Sequence, residues 1–562
     1  MSIEHRPSHI GTSDTQAPTE SAESHTHRLV SFLPKEADAL RYTIITDPDA
    51  WSEAGRDAAN IAGSPTELIR LRASAGEAEI SEIIRSGRSI VPQGSRSSLT
   101  GGATPENVAA LDMSRRKEII AYGEYSVTVQ SGISLAELQV ALKERGKYFP
   151  PGPTYTGATI GGIVATNAAG AATFKYGQTR PWVRRLKVVL GSGEVLDIQR
   201  GVHTAHPDGY FELQNSMGEV QRIAVPTYTM PNVVKCSAGY YAAPRMDLID
   251  LFIGSEGTLG VISEVELEVI DKPYTYVALV PCESESEALK LTAALRNTSK
   301  ELWKLRSELA AGEPPLVGID VAAVEYVDEK SVGLLRVDAE VRSDRITPPD
   351  GARVLLIVQI EKTPTDNDED FMWRVYNFVS EYASEGAAGG LLLAEPNDVR
   401  QIKYFEDMRE GVPVGVNERV RANQRNNPEA GITKLATDMI VPFEHFADTM
   451  AMYRSVFEAR NLEHYIWGHF SDGNVHVNVL AKNADEVARA KDAIRECAKA
   501  VVTLGGSPLA EHGVGKHPAK QDMLKLLYGA EGVAQMRALK EAFDPHGRLC
   551  PGNIFPALKT NL

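Results

Sequence analysis

The sequence predicts an α+β protein of more than one domain, with a glycine-rich first half and a second half of strands and longer helices. Three observations predict it. At 562 residues the chain exceeds what one ordinary core supports. Three segments rich in Gly, Ser, Thr or Ala, at 93–102, 159–170 and 254–260, precede residue 272. From Tyr274 onward strand-like runs alternate with helical periodicity and no GxGxxG fingerprint appears, which favours an antiparallel sheet with helices on one face.

Residues 1 to about 28 are polar and rich in Ser, Thr and His, and predict a disordered tail with neither the charged nor the apolar region of a signal peptide. A helical pattern over Ala75–Ser86 leads into the apolar run Ser89–Pro92 and then Gln93-Gly94-Ser95-Arg96-Ser97-Ser98-Leu99-Thr100-Gly101-Gly102. A short strand followed by Gly and Ser presents backbone N–H and hydroxyl donors, which suits an anion. Ser126–Gln130 reads as a strand, and Ser134-Leu135-Ala136-Glu137 opens a helix with a capping box. The run Thr159-Ile160-Gly161-Gly162-Ile163-Val164-Ala165-Thr166-Asn167-Ala168-Ala169-Gly170 is small enough for backbone to approach an extended ligand or a neighbouring sheet closely. Leu186–Leu190 and Glu194–Ile198 form a hairpin about Gly191-Ser192-Gly193, residues 201–245 read as a long loop or insertion, and the glycine-rich 251–262 precedes an alternating strand, Val261–Ile270.

In the second half strands are expected at 276–280, 318–324, 354–361, 432–441, 464–470 and 475–481, and helices at 284–296, 369–384, 443–459, 484–504 and 518–543. A formal net charge of −16 argues against a nucleic-acid partner, which needs a basic face. The four cysteines are scattered, with no CxxC pair, so no disulfide framework, zinc knuckle or cysteine-ligated iron–sulfur cluster is indicated. No stretch reaches the roughly 18 apolar residues of a membrane span; a cytoplasmic location, with peripheral membrane contact left open, is the expectation.

The chemistry concentrates near the C-terminus. In Gly468-His469-Phe470-Ser471-Asp472-Gly473-Asn474-Val475-His476-Val477-Asn478, Asp472-Gly473 predicts a two-residue type I′ turn. That register sets His469 directly across from His476, with Cβ atoms about 4.5–5.5 Å apart. Glu511-His512-Gly513-Val514-Gly515 adds a carboxylate and a further imidazole. Two histidines and Glu511 suit a divalent metal with an open position, and adjacent residues of extended chain let Glu511 face the metal while His512 faces substrate.

Together the ordered segments PQGSRSSLTGG, TIGGIVATNAAG, DLFIGSEGTLGVI, GHFSDGNVHVNV, AEHGVGK and DPHGRLCPGNIFP resemble the FAD-linked oxidases of the p-cresol methylhydroxylase and vanillyl-alcohol oxidase superfamily. The resemblance is greatest to the D-2-hydroxy-acid dehydrogenase branch and runs from about residue 60 to 558. It implies a two-subdomain FAD-binding domain at 60–272, a substrate domain with a helix-covered antiparallel sheet at 273–510, and a helical C-terminal segment, 511–562, returning to the flavin. It implies that Gly94, Ser95, Arg96, Ser97, Ser98, Thr159, Gly161, Gly162, Asn167 and Gly170 hold the FAD pyrophosphate and neighbouring groups. Ile262 would meet the adenine side and Asn553 the flavin.

The same resemblance makes His469, His476 and Glu511 ligands of a divalent metal (Zn, Mn or Fe), His512 the catalytic base and Asn478 a substrate contact. Arg409 is the candidate for the substrate carboxylate, because a guanidinium grips it bidentately. The implied reaction oxidises a D-lactate- or glycolate-like D-2-hydroxy acid to the 2-oxo acid, with hydride passing to flavin N5 and the metal polarising the α-hydroxyl. Electrons then pass to a separate acceptor: a protein, a quinone or a cytochrome. A homodimer is the implied assembly. An alkyl-glycerone-phosphate synthase-like enzyme, an alcohol oxidase of the same fold, or a non-catalytic flavoprotein subunit are the alternatives.

Three departures from the family pattern stand out. Cys550 precedes Pro551 where the family often has Asn. Ala436 stands where 2-hydroxyglutarate dehydrogenases have Lys, with Lys434 one step further back on the same strand face. The first phosphate loop has no His, so non-covalent FAD is expected.

Overall fold

The computed structural model describes residues 26–28, 41–59, 61–310, 312–341 and 346–557. In the first half, strands Tyr42–Ile45, Leu68–Leu71, Ala109–Asp112 and Ile90–Gln93 lie side by side in that order, the last three parallel. Helix Glu77–Arg85 packs on them because Ile80, Ile83 and Ile84 recur at helical spacing and meet Ile69, Leu71 and Ile90 in one core. A second, antiparallel sheet runs Val195–Gln199, Val183–Val189, Val261–Glu268, Ser126–Gln130 and Ile119–Tyr122. Its strand Val261–Glu268 buries Val265 and Leu267 and leaves Glu264 and Glu266 half-buried, the alternation read in the sequence.

The expected loop at 201–245 contains a hairpin instead, Tyr210–Gln214 paired with Val220–Ala224. Phe211 and Leu213 alternate with polar residues and fill the core, a signal short enough to be lost in a polar segment. Of the expected tail, residues 1–25 lie outside the described residues, while Thr26–Arg28 pairs in parallel with Tyr210–Gln214.

The second half forms an eight-stranded sheet with every pairing antiparallel. Its order is Leu392–Ala394, Tyr274–Cys282, Val354–Lys362, Val321–Val327, His464–His469, Asn474–Val479 and Leu435–Ala436, with Met439–Ile440 also on the Asn474 strand. The expected helices appear as Glu285–Ser307, Asp368–Tyr382, Phe446–Glu458, Ala484–Thr503 and Pro518–Phe543, the last broken at Gly529. Three further helices, Glu329–Val341, the short Glu385–Gly389 and Val399–Asn426, escaped the sequence reading. The last is polar and contains Pro413, yet Phe405, Met408, Val412, Val416 and Val420 form a buried stripe.

After Phe543 the chain returns to the first sheet. The Ile90 N–H donates to Arg548 O at 2.7 Å, and the Cys550 N–H donates to Ile90 O at 2.9 Å. Among the described residues no helix is long and apolar enough to cross a membrane.

Candidate active site

The histidine hairpin does not have the expected register. Phe470–Asp472 forms a 3-10 turn, and Gly473 alone in this turn takes a positive φ (78°). A type I′ turn would need Asp472 there as well. Asp472 is instead buried against the Lys235 ammonium at 3.0 Å, and Ser471 Oγ accepts the Val324 N–H at 3.1 Å, so both side chains turn inward. His469 therefore lies across from Asn474, and His476 across from Trp467. A slip of two residues preserves the face of the sheet. His469 and His476 remain diagonal neighbours, with ring centroids 5.9 Å apart.

Glu511 enters between them from the far end of the chain. Its Oε1 lies 3.1 Å from His476 Nε2 and its Oε2 3.4 Å from His469 Nε2. The other ring nitrogens are already assigned. His469 Nδ1 donates to Glu325 Oε1 at 2.5 Å, and His476 Nδ1 faces the Thr437 carbonyl at 3.2 Å, which can only accept. In neutral rings both Nε2 lone pairs thus point at a carboxylate, an arrangement of acceptors alone. A proton on His469 or a metal cation between the three groups relieves it, and outer partners of this kind are what orient metal-bound imidazoles. The ligand atoms lie within 4.8 Å of one another. By chemistry and spacing, His469, His476 and Glu511 fit a divalent metal.

The surroundings are strongly charged. Without a metal, His469 is pushed up to about 9: burial opposes the charge, but Glu325 and Glu511 outweigh it. Burial holds His476 below its ordinary value. Lys235, fully buried, touches Glu511 Oε2 at 3.1 Å as well as Asp472; burial works against its charge, but these carboxylates raise its pKa. Burial would raise Glu511, yet Lys235 and His469 bring it well below the usual carboxylate range.

His512 sits beside this cluster, its ring stacked on His476 with centroids 5.3 Å apart. His512 Nδ1 lies 3.1 Å from Asp438 Oδ2, which directs the Nδ1 proton to that carboxylate, and Nε2 lies 3.4 Å from Glu511 Oε1, so the two neighbours meet at one place rather than facing opposite sides as expected. The same carboxylate accepts the backbone N–H of Glu511 (3.2 Å) and of His512 (3.0 Å) and pairs with Lys520 at 3.0 Å. Against burial, His512 and Lys520 hold Asp438 far below the usual carboxylate range. Asn478 lies two residues beyond His476 on the same face; its Nδ2 donates to His476 O, and its Oδ1 is buried without a hydrogen-bond partner. Arg409 Nε pairs with Glu325, the carboxylate that also holds His469, and Nη2 donates to Thr154 Oγ1 at 3.0 Å. His464 is buried at the other end of its strand, with Nδ1 2.9 Å from Leu462 O and Nε2 3.4 Å from Lys330 Nζ.

The glycine-rich segments of the first half also converge. A Cβ on Gly94 would lie 2.0 Å from Thr159 Oγ1, so the 94–98 and 159–162 segments touch only because Gly94 has none. Gly161 meets Ser131 in the same way, at 2.7 Å, and a Cβ on Gly162 would lie 3.3 Å from Thr159 Oγ1, tighter than an ordinary contact. Arg96 takes a left-handed φ of 56°, Ser95 Oγ bonds Ser97 Oγ, and Ser98 Oγ accepts the N–H groups of Thr100 and Gly102. Asn553 Nδ2 reaches Gly102 O and Glu256 O, joining the C-terminal segment to the first loop. Ser131 Oγ and Asn553 Oδ1 are buried without a partner among the described residues, which suits an extended polar ligand along this seam. Asn167 and Gly170 have structural contacts: Asn167 Oδ1 accepts the Arg180 N–H, and a Gly170 Cβ would strike Gly152 O at 1.9 Å. Ile262 packs in the core on the strand beside Val188.

Residues 73–199 match the family described as FAD binding domain, and residues 316–554 match FAD linked oxidases, C-terminal domain. The chain belongs to the FAD-linked oxidases. Its seam of small residues is therefore part of a flavin-binding fold, and the chain is an FAD-linked oxidoreductase. Among curated proteins it is similar to glycolate oxidase subunit GlcD of Bacillus subtilis (strain 168), 26% identical with 83% of each chain covered. A D-lactate dehydrogenase of Anaerostipes hadrus is 27% identical over 83% of this chain and 84% of that protein. A D-2-hydroxyglutarate dehydrogenase of Xanthomonas citri pv. viticola is 28% identical over 83% and 84%. A solved alkyldihydroxyacetonephosphate synthase shares the fold at a TM-score of 0.54 and 14% identity, over 90% of this chain and 82% of that one.

Lys235, Glu325 and Asp438 were not singled out from the sequence. Asp438 carried a signal, an acid within an apolar strand pattern; Lys235 lay in the segment read as an insertion, and Glu325 lay in a run read only as core strand.

Proposed function

We propose that the chain oxidises a D-2-hydroxy acid of the lactate or glycolate type to the 2-oxo acid, with FAD bound along the small-residue seam. The observation that carries the reading is the convergence of two imidazole Nε2 lone pairs and Glu511 beside His512, a base already oriented by Asp438. The printed activities of the relatives, glycolate oxidase and D-lactate and D-2-hydroxyglutarate dehydrogenases, support it.

Bound FAD would supply the acceptor for the two electrons and the hydrogen leaving C2 of the acid. A divalent cation on His469, His476 and Glu511 would supply Lewis acidity toward the substrate oxygens. His512 Nε2 takes the hydroxyl proton, while Asp438 holds the ring by Nδ1 and stabilises the imidazolium. Arg409 pairs with the substrate carboxylate; Glu325 fixes the guanidinium through Nε and Thr154 Oγ1 meets Nη2, so Nη1 is the nitrogen offered to the acid. The unpartnered Asn478 Oδ1 accepts a hydrogen bond from the substrate or from water. We assign the flavin domain to 60–272, the substrate domain to 273–510 and the closing segment to 511–562. The reduced protein passes electrons to a separate acceptor, a protein, quinone or cytochrome; one relative is named as a cytochrome-linked D-lactate dehydrogenase.

The test is anaerobic mixing of the yellow holoprotein with a panel of D- and L-2-hydroxy acids. Bleaching of the flavin band by a D acid, and not by its L mirror image, is expected. Achiral glycolate joins the panel, and failure of glycolate and of every D acid to bleach the band overturns the reading.

A further inference from the structure

Glu256, in the segment Gly254-Ser255-Glu256-Gly257-Thr258, has no role in the reaction as described. Its backbone is in the left-handed region (φ 52°), between Gly254 (φ 88°) and Gly257 (φ 73°). A side-chain-bearing residue there costs about 1–2 kcal/mol, and glycine would sit without strain. Its contacts suggest what offsets that cost. The carboxylate is buried and accepts two successive backbone N–H groups, Val514 on Oε1 and Gly515 on Oε2, each at 2.7 Å. Positive φ at Gly513 (75°) and Gly515 (56°) aims both N–H groups the same way, and a Cβ on Gly513 would come within 2.9 Å of Oε1. The turn itself is anchored to the flavin domain: the Glu256 N–H donates to Ala165 O at 2.7 Å, and its carbonyl accepts from Asn553 Nδ2 at 3.2 Å.

The segment 511–515 is therefore fastened at both ends by carboxylates from opposite halves of the molecule. Asp438, on the substrate side, holds the N–H groups of Glu511 and His512; Glu256, on the flavin side, holds those of Val514 and Gly515. We propose that Glu256 is a positioning residue that fixes the distance between His512 and the flavin seam by clamping Val514 and Gly515 to the flavin domain. The proposal rests on the reading of His512 as the base. Strained backbone retained at a functional segment is the pattern expected of such a device.

Glu256→Gln tests it, because a carboxamide accepts one of the two N–H groups and opposes the other with its own NH2. The variant is expected to keep stoichiometric FAD while flavin reduction at saturating acid slows by about tenfold or more, with the acid's Kd changed by less than about threefold. Amide hydrogen exchange at Val514 and Gly515 is expected to speed up by about tenfold. Wild-type reduction and wild-type protection in a flavin-loaded variant overturn the proposal. Should Glu256→Gln lose FAD or fail to fold, Gly513→Ala strains the same contact from the loop side, with the same two changes expected and wild-type values overturning it. If no hydroxy acid reduces even the wild-type flavin, the functional reading has failed, and the exchange measurement still decides the clamp.

Discussion

Glu325 joins two jobs in one side chain, one oxygen on His469 Nδ1 and the other on Arg409 Nε. Glu325→Gln keeps the shape and removes the charge, so His469 loses the partner that makes Nε2 a strong donor. Metal affinity is expected to fall about 10–100-fold, read by competition with a chromophoric chelator. His512→Ala should bind FAD normally and lose at least about 10²-fold in flavin reduction, checked by anaerobic stopped flow. Glu256 predicts a pH signature. Burial lifts its carboxyl from 4.5 to about 7, while the two N–H groups and Lys520 work the other way; Tyr240 and Cys550 are the other titratable groups alongside. The folded state holds the extra proton between those values, so stability from this group is greatest below pH about 4.5 and falls by about 3 kcal/mol as pH rises through about 7. Denaturant melts across that range should lose this slope in Glu256→Gln; an identical slope contradicts it. At this scale the sequence singled out His469, His476, Glu511 and His512, which the structure brings together, because imidazoles and a carboxylate cluster within short motifs. It could not identify Lys235 or Glu325, which reach the site across 276 and 144 positions of chain.

The hairpin records where local rules stop. Asp472-Gly473 is a strong two-residue turn signal, but a buried lysine competes for Asp472, and the turn becomes a 3-10 turn closed by Gly473. His469 and His476 still share one face because a two-residue slip leaves side-chain orientation unchanged. Gly473→Ala should cost about 1–2 kcal/mol in a denaturant melt from its left-handed φ alone. Its new Cβ would also come within 3.0 Å of the Val441 carbonyl. Helices with broad apolar stripes were legible, and Pro518–Phe543 appears with the boundaries read from the sequence. Val399–Asn426, which carries Arg409, was hidden by its polar surface and Pro413.

Across the whole molecule, the α+β layout and the flavin family were legible because small-residue segments recur in a fixed order. How the halves meet was not, since it depends on side chains far apart in sequence. Lys175, on the flavin side, bonds Asp320 and Glu361 of the large sheet at 2.7 Å each, and Tyr176 reaches Glu361 at 2.6 Å. With Asp438 and Glu256 on either side of residues 511–515, these contacts tie one segment to both halves at once. The central claim is that flavin reduction by a D-2-hydroxy acid depends on a cation held by His469, His476 and Glu511. The direct measurement is the anaerobic reduction rate of FAD-loaded protein before metal stripping, after it, and after return of zinc, manganese or iron. Loss of reduction on stripping with FAD retained, and recovery with one of these ions, is the result predicted; a full rate in verified metal-free protein would contradict it.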